Sequence, residues 1–286
     1  MAVTYESLMN MQFPPVQYHY TQKDTILYAL GLGLGLNPTD RQELQFVYEK
    51  HLRALPTMGV VLGNLALGPN VPGTGLDGDK ILHGEQGITI HRPLPVAGSL
   101  EVRQRITQII DKGADKGSII YSESEARDTL TKQVLFVCTS SSFCRGDGGI
   151  GGPSGPTPQR HEIPGRKPDA SDTRPTTPQQ ALLYRLSGDY NRVHADVDVA
   201  AYAGFDQPIL QGLCTFGVAG YSVLRTCAGN DPDRLGHIQV RFSAPVLPGD
   251  TLRTDLWQDG EVISFRTTAV ERDTVVIDNG RAELTA

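Results

Sequence analysis

The sequence predicts an α+β protein of two halves, each a curved antiparallel sheet wrapped around a long apolar helix. Three observations carry that reading. Gly146 to Pro178 holds seven glycines and seven prolines in 33 residues. Such a stretch sustains neither a helix nor a central strand, and reads as a linker between halves of similar size. The segment Pro93-Leu94-Pro95-Val96-Ala97-Gly98-Ser99-Leu100 is echoed by Pro245-Val246-Leu247-Pro248-Gly249-Asp250-Thr251-Leu252, with the linker between the copies. Gly212 to Leu224 carries no charge, so a helix there has no face fit for water and is buried on all sides.

The first half is expected to span residues 1–145, the linker 146–178 and the second half 179–286. In the first half, Leu55 to Leu67 is a second charge-free run and the counterpart of the apolar helix. Glu43 to Lys50 fits a helix or a strand equally. Gln86 to His91, Leu100 to Ile110, Ser118 to Asp128 and Gln133 to Phe143 read as strands. In the second half the apolar helix is roughly 20 Å long at about 1.5 Å per residue. Gly217 and Gly220 weaken it but let a sheet approach its backbone closely. His237 to Phe242, Leu252 to Gln258 and Glu261 to Val270 read as strands. Ile263, Phe265, Thr267 and Ala269 alternate with Ser264, Arg266 and Thr268, the period of a half-buried strand.

Composition narrows the function classes. Of 286 residues, 39% are apolar and 20% charged, a balance that permits a core and differs from a disordered chain. A net charge of −6 disfavours nonspecific attraction to nucleic acid or anionic lipid. The four cysteines, Cys138, Cys144, Cys214 and Cys227, form no CxxC pair, so no zinc site, thioredoxin chemistry or disulfide scaffold is expected. Residues 1–13 lack the pattern of a signal peptide. The longest apolar run, Ile26 to Leu36, is glycine-broken and about half the length needed to span a bilayer. The last four residues hold no peroxisomal tripeptide. A soluble, cytoplasmic protein is expected.

Chemistry concentrates in Ser187-Gly188-Asp189-Tyr190-Asn191-Arg192-Val193-His194. A carboxylate, an amide and an imidazole fall at i, i+2 and i+5. Gly212 follows at the start of the apolar helix. Adding water to the double bond of an enoyl thioester needs such a set. Asp189 and His194 could share the proton work, because histidine titrates near neutrality. The Asn191 amide can fix a water or a carbonyl. The Gly212 N–H, free of any intrahelical acceptor, can hold the negative charge on the thioester oxygen. The same residues also fit plainer roles: a capping aspartate, a surface histidine and a turn glycine.

Asp189-Tyr190-Asn191-Arg192-Val193-His194 resembles the hydratase motif of MaoC-type (R)-specific enoyl-CoA hydratases. The resemblance extends over Gln180 to Asp189 and Gly204 to Gly217. In the first half it reaches Phe46-Val47-Tyr48-Glu49, Leu55-Pro56-Thr57 and Leu82-His83-Gly84-Glu85-Gln86. It implies a double hotdog fold whose second half is catalytic and whose degenerate first half shapes a tunnel for the acyl chain. It implies Asp189 and His194 as the catalytic pair, Asn191 beside them, and the Gly212 amide on the thioester oxygen. Contacts to substrate or coenzyme A are implied for His83, Gly84, Lys112, Tyr190, Arg192, Val193 and Phe242. For Lys112 the alternative is a solvated turn lysine, for Phe242 plain core and for His83 support of its loop. Glu49 matches an acidic position of the family. The implied reaction needs no metal or organic cofactor, the ligand is an acyl-CoA, and a homodimer fits by analogy.

Two residues depart from the family pattern. Arg192 stands where proline is frequent, and Gln211 where histidine usually precedes the glycine. Gly146-Asp147-Gly148-Gly149-Ile150-Gly151 matches GxGxxG literally. A dinucleotide site needs a helix to start there, and Pro153, Pro156 and Pro158 forbid it. Gly31, Gly33 and Gly35 lack a phosphate-loop lysine and are read as packing. Two other functions share the architecture: an acyl-CoA thioesterase, and a non-catalytic acyl-CoA-binding protein.

Overall fold

The computed structural model describes residues 3–63 and 74–285. Its first half runs α1 (Tyr5–Met9), β1 (Val16–Tyr20), α2 (Gln22–Gly31), α3 (Arg41–Val47), α4 (Gly59–Gly63), β2 (Ile81–Ile90), β3 (Gly98–Asp111), β4 (Ser118–Asp128) and β5 (Val134–Cys144). The second half runs β6 (Ala170–Pro175), α5 (Gln180–Tyr184), α6 (Val197–Tyr202), α7 (Gly212–Cys227), β7 (Leu235–Phe242), β8 (Thr251–Asp259), β9 (Val262–Ala269) and β10 (Thr274–Leu284). Among the described residues no helix is long and apolar enough to cross a membrane.

All the strands join one ten-stranded sheet, in the order β1-β3-β4-β5-β2-β7-β10-β9-β8-β6. Outward from the central β2–β7 pair the two halves repeat strand for strand. Each supplies a strand, then helices, then four strands. Gly87 faces Gln239 at the junction, and the pairing is antiparallel. The two proline–glycine echoes occupy equivalent places, the β2–β3 and β7–β8 connections.

α7 is the centre of the core. Every residue from Leu213 to Leu224 is buried. Burying each large apolar side chain stabilises by about 1.5–3 kcal/mol relative to exposure. Its glycines admit first-half side chains as well as the sheet. A Cβ on Gly217 would stand 2.6 Å from Leu32, and one on Gly220 would stand 2.6 Å from Thr57 and 3.4 Å from Ile238 of β7. The first-half counterpart is a 3-10 turn, Pro56–Met58, leading into the short α4. Residues 64–67 of the expected helix lie outside the described residues.

Glu43 to Lys50, open in the sequence, falls partly in α3, whose first turn is capped by the Asp40 carboxylate accepting from Gln42 N–H at 3.0 Å. Glu43 is 3% exposed. Its carboxylate accepts from Gly35 N–H (2.7 Å), Arg174 of β6 (2.6 Å) and Arg225 of α7 (3.3 Å). The Arg174 guanidinium also lies 4.5 Å above the Tyr221 ring. This knot ties first-half loops to the edge strand and to α7.

The stretch 146–178 is an ordered strap for much of its length. Its residues 170–175 form β6, an edge strand paired to β8, where Pro175 leaves no central ladder bond broken. Upstream, the strap crosses the outer face of the sheet. Arg160 pairs with Glu85 (3.5 Å), His161 with the Ser264 hydroxyl (2.7 Å), and the Trp257 indole donates to Arg166 O (2.8 Å). Ser264 is therefore buried, and β9 is covered on both faces rather than half-buried. The GxGxxG loop grips an internal anion: the Asp111 carboxylate accepts from the N–H groups of Gly149 (2.8 Å) and Gly151 (3.1 Å). Burial pushes the Asp111 pKa up, and these backbone bonds outweigh it, leaving the carboxyl below its usual value.

Removing one partner of a buried ion pair strands the remaining charges, at a cost of about 3–5 kcal/mol. Glu43→Gln is expected to lower the unfolding free energy by about that much in urea titration. Glu123→Gln, which breaks a pair with a largely exposed Arg105, is expected to cost under about 1 kcal/mol.

Candidate active site

The segment after α5 turns sharply. Residues 185–187 form a 3-10 turn, and Gly188 follows with φ = 122°, a conformation that glycine adopts without strain. Asp189 comes next. Its Oδ1 accepts from Asn191 N–H at 3.3 Å, and Asn191 Oδ1 accepts from Val193 N–H at 3.2 Å. Asn191 thus caps the short turn Arg192–His194 that carries the imidazole.

The His194 ring is 8% exposed. Its Nδ1 lies 2.8 Å from Ile209 O. A carbonyl only accepts, so Nδ1 carries the proton and neutral Nε2 presents a lone pair. That Nε2 faces Asp189 Oδ2 at 3.9 Å. The gap is too long for a direct hydrogen bond and suits one oxygen touching both groups. Burial lowers the His194 pKa, and the Asp189 charge and the Ile209 carbonyl only partly oppose it. The imidazole is therefore a neutral base at pH 7.

Ile209 lies three residues before Gly212, so the bond from His194 ties the imidazole to the segment that enters α7. Leu210 N–H donates to Val246 O (2.8 Å), and the Gln211 side chain donates to Ala181 O of α5 (3.0 Å). Gln211 thus pins the start of α7 to the helix leading to Asp189. A Cβ on Gly212 would meet the Phe242 ring at 3.4–3.6 Å, ordinary contact. Packing within the protein does not require glycine there.

The remaining expected residues divide. The His83 ring packs edge-on against Phe242 with centroids 5.0 Å apart, and Nε2 meets Glu85 O at 3.1 Å. Burial lowers its pKa, and the Asp189 charge is among the opposing influences. His83, Phe242 and Gly212 thus form one wall beside Asp189. Gly84 sits at a β-bulge, where a Cβ would stand 2.8 Å from the Ser141 hydroxyl. Lys112 lies just past the end of β3, its N–H on Gly117 O, at the sheet end where β2 begins. Three strand spacings separate β3 from β2, roughly 14 Å. Tyr190 is largely exposed, with its ring 5.1 Å from the Arg185 guanidinium. Arg192 is spent on Asp196 (2.6 Å), Val193 contributes backbone bonds, and Glu49 is exposed. A groove of about 360 Å³ between the strap and the outer sheet face contains none of the catalytic candidates.

Sequence reading passed over Tyr28 and Tyr184, fully buried where the halves meet, with rings 5.9 Å apart. The available signal was a repeated Leu-Tyr-x-Leu, at Leu27–Leu30 and Leu183–Leu186. Counting on from each tyrosine sets Gly33 opposite Asp189, Gly35 opposite Asn191 and Pro38 opposite His194. The first half keeps the topology and lacks these side chains.

Residues 159–280 match the MaoC like domain, and residues 18–146 match the MFE-2 hydratase 2 N-terminal domain. The chain is 37% identical to the Enoyl-CoA hydratase ChsH3 of Mycobacterium tuberculosis, covering 98% of both. It belongs to the MaoC-like hydratase 2 family. The crystal structure of a MaoC-like dehydratase from Phytophthora capsici superposes with a TM-score of 0.87 at 36% identity, covering 99% of each chain. The Peroxisomal multifunctional enzyme type 2 of Mus musculus is 40% identical over 96% of this chain, which spans 37% of that protein. The paired sheets of this family member are thus the two hotdogs of a double hotdog.

Burial lowers the pKa of His83, His161, His194 and His237 below the ordinary 6.5. The unfolded chain therefore takes up protons near pH 6.5 that the folded chain refuses. Folding stability from these groups is present above that pH and is lost as the pH falls below it. The unfolding temperature is expected to drop between about pH 7.5 and about pH 5.5, read by calorimetry.

Proposed function

We propose that this protein reversibly hydrates trans-2-enoyl-CoA to (R)-3-hydroxyacyl-CoA. The observation that carries the reading is the pairing of His194 Nε2 with Asp189 Oδ2 across 3.9 Å, anchored through Ile209 to the helix that begins at Gly212. The relatives' printed names, enoyl-CoA hydratase and 3-hydroxyacyl-thioester dehydratase, support the two directions of this reaction.

In this reading a water sits between the carboxylate and the imidazole. Together they take a proton from it as its oxygen bonds to the β-carbon, and return one to the α-carbon. Negative charge gathers meanwhile on the thioester oxygen, and the Gly212 N–H accommodates it at the positive end of α7. Bare backbone at residue 212 lets the thioester come close. Asn191 holds Asp189 and the His194 turn in register. His83 and Phe242 wall the acyl group. Gly84, Tyr190, Arg192, Val193 and Lys112 belong to a wider zone of coenzyme contact. Neither metal nor organic cofactor enters the reaction as written. A homodimer of the 31.0 kDa chain and a cytoplasmic location complete the proposal; the peroxisomal names belong to the relatives that carry them.

Asp189→Asn is expected to cut the hydration rate at least about a hundredfold, followed as loss of enoyl absorbance. An unchanged rate would remove Asp189 from the chemistry, and thiol release in its place would indicate a thioesterase. Gly212→Ala is expected to keep its unfolding temperature, because the Cβ fits, and to lose kcat. On the acid side, kcat/KM is expected to fall through an apparent pKa below 6.5, as His194 protonates.

A further inference from the structure

The three residues before Gly212 each hold a different part of the candidate site. Ile209 grips the His194 turn twice: its N–H donates to Val193 O (3.3 Å), and its carbonyl accepts from His194 Nδ1 (2.8 Å). Leu210 N–H is fixed on Val246 O (2.8 Å), in the β7–β8 connection. Gln211 reaches α5. Its side-chain amide donates to Ala181 O (3.0 Å), and α5 runs through the turn 185–187 and Gly188 into Asp189.

The two arms of the Asp189–His194 pair are thus held to α7 differently. The imidazole arm is tied to Ile209 by bonds that do not involve the side chain at 211. The carboxylate arm is less directly tied. Asp189 Oδ1 accepts from Asn191 N–H at 3.3 Å, which fixes one oxygen and not the distance to α7. Tyr184 packs on Tyr28, which fastens α5 to the first half. The Gln180 amide meets Cys214 Sγ at 3.6 Å, a longer and weaker link to α7. The Gln211 bond is shorter, and it starts from the residue next to Gly212.

Gln211 is sealed from solvent, with 0% exposure, so water does not compete for its amide. Its carbonyl accepts from Cys214 N–H (3.0 Å) and Thr215 N–H (3.2 Å), which makes its backbone part of the helix start. Its Oε1 has no partner among the described residues, and its side chain is held by the bond to Ala181. We propose that Gln211 is a positioning residue whose amide sets the spacing between the Asp189 carboxylate and the Gly212 N–H. The inference rests on the hydratase reading. In that reading the carboxylate works at the β-carbon while the N–H meets the thioester oxygen, so both must address one ligand at once. A displacement of about 1 Å can cost about a hundredfold in rate. Gln211 touches no reacting atom and acts through Asp189.

Gln211→Leu removes the donor and keeps most of the bulk. Its kcat with an enoyl-CoA is expected to fall roughly ten- to a hundredfold, with KM nearly unchanged. Gln211→His restores an N–H donor and is expected to recover most of the rate. Placed in the Asp189→Asn protein, the leucine change is expected to add little, because both changes act on one group. A role in packing alone would slow both backgrounds alike. A crystal structure of Gln211→Leu is expected to show Asp189 Oδ2 and His194 Nε2 moved from their 3.9 Å separation, with His194 still on Ile209 O. Wild-type kcat in the leucine variant, a full further loss in the Asp189→Asn background, or an unmoved Asp189 would each overturn the proposal. Should the leucine variant fail to fold, Gln211→Met, unbranched like glutamine, takes its place in the same measurements. A wild-type protein that hydrates no enoyl-CoA sinks the hydratase reading instead, and the variant's crystal structure still judges whether Gln211 sets the spacing.

Discussion

A helix without a solvent-fit face must be surrounded, and that requirement organises this protein. From Leu213 to Leu224, α7 is buried at every angle. One hotdog sheet covers part of it. Side chains of the other half, among them Leu32 and Thr57, close on its glycines. Its position is fixed by packing on all sides and by the Glu43–Arg174–Arg225 knot. The first-turn amides at its other end are therefore rigid, as a preorganised donor must be. The Asp189 loop is tied to the same end twice, through Gln211 to α5 and through Ile209 to His194.

The two halves repeat one strand order and differ in their side chains. Both halves keep the strand order and the buried tyrosine, because those hold the shared sheet and the seam. Only the second keeps the carboxylate, the amide and the imidazole; Gly33, Gly35 and Pro38 stand in the equivalent places. Gly35 has taken another duty, since its N–H is held by the buried Glu43 carboxylate. A charged side chain is costly to keep near a core, whereas a glycine packs without desolvating a charge.

Much of the sheet was readable because β3, β4, β5, β7, β8 and β9 carry a period of two or a clear apolar run. β10 was not, since register shifts near Ile277 and Gly280 and a left-handed Asn279 break the period. β1 and β6 were missed as short edge strands, one of them inside the proline-rich stretch. The candidate-site loop was legible because Asp189, Asn191 and His194 lie close in sequence. His83 and Phe242 come from distant strands, and only a family resemblance placed them by the site. The tyrosine seam escaped notice because a buried tyrosine in an apolar segment looks like core until both halves are superposed.

A crystal structure of the protein soaked with a 3-hydroxyacyl-CoA measures the central claim directly. The account predicts the 3-hydroxyl oxygen between Asp189 Oδ2 and His194 Nε2, and the thioester oxygen at about 3 Å from the Gly212 nitrogen. A thioester bound with its carbonyl turned away from α7, or lodged in the groove beneath the strap, would contradict it.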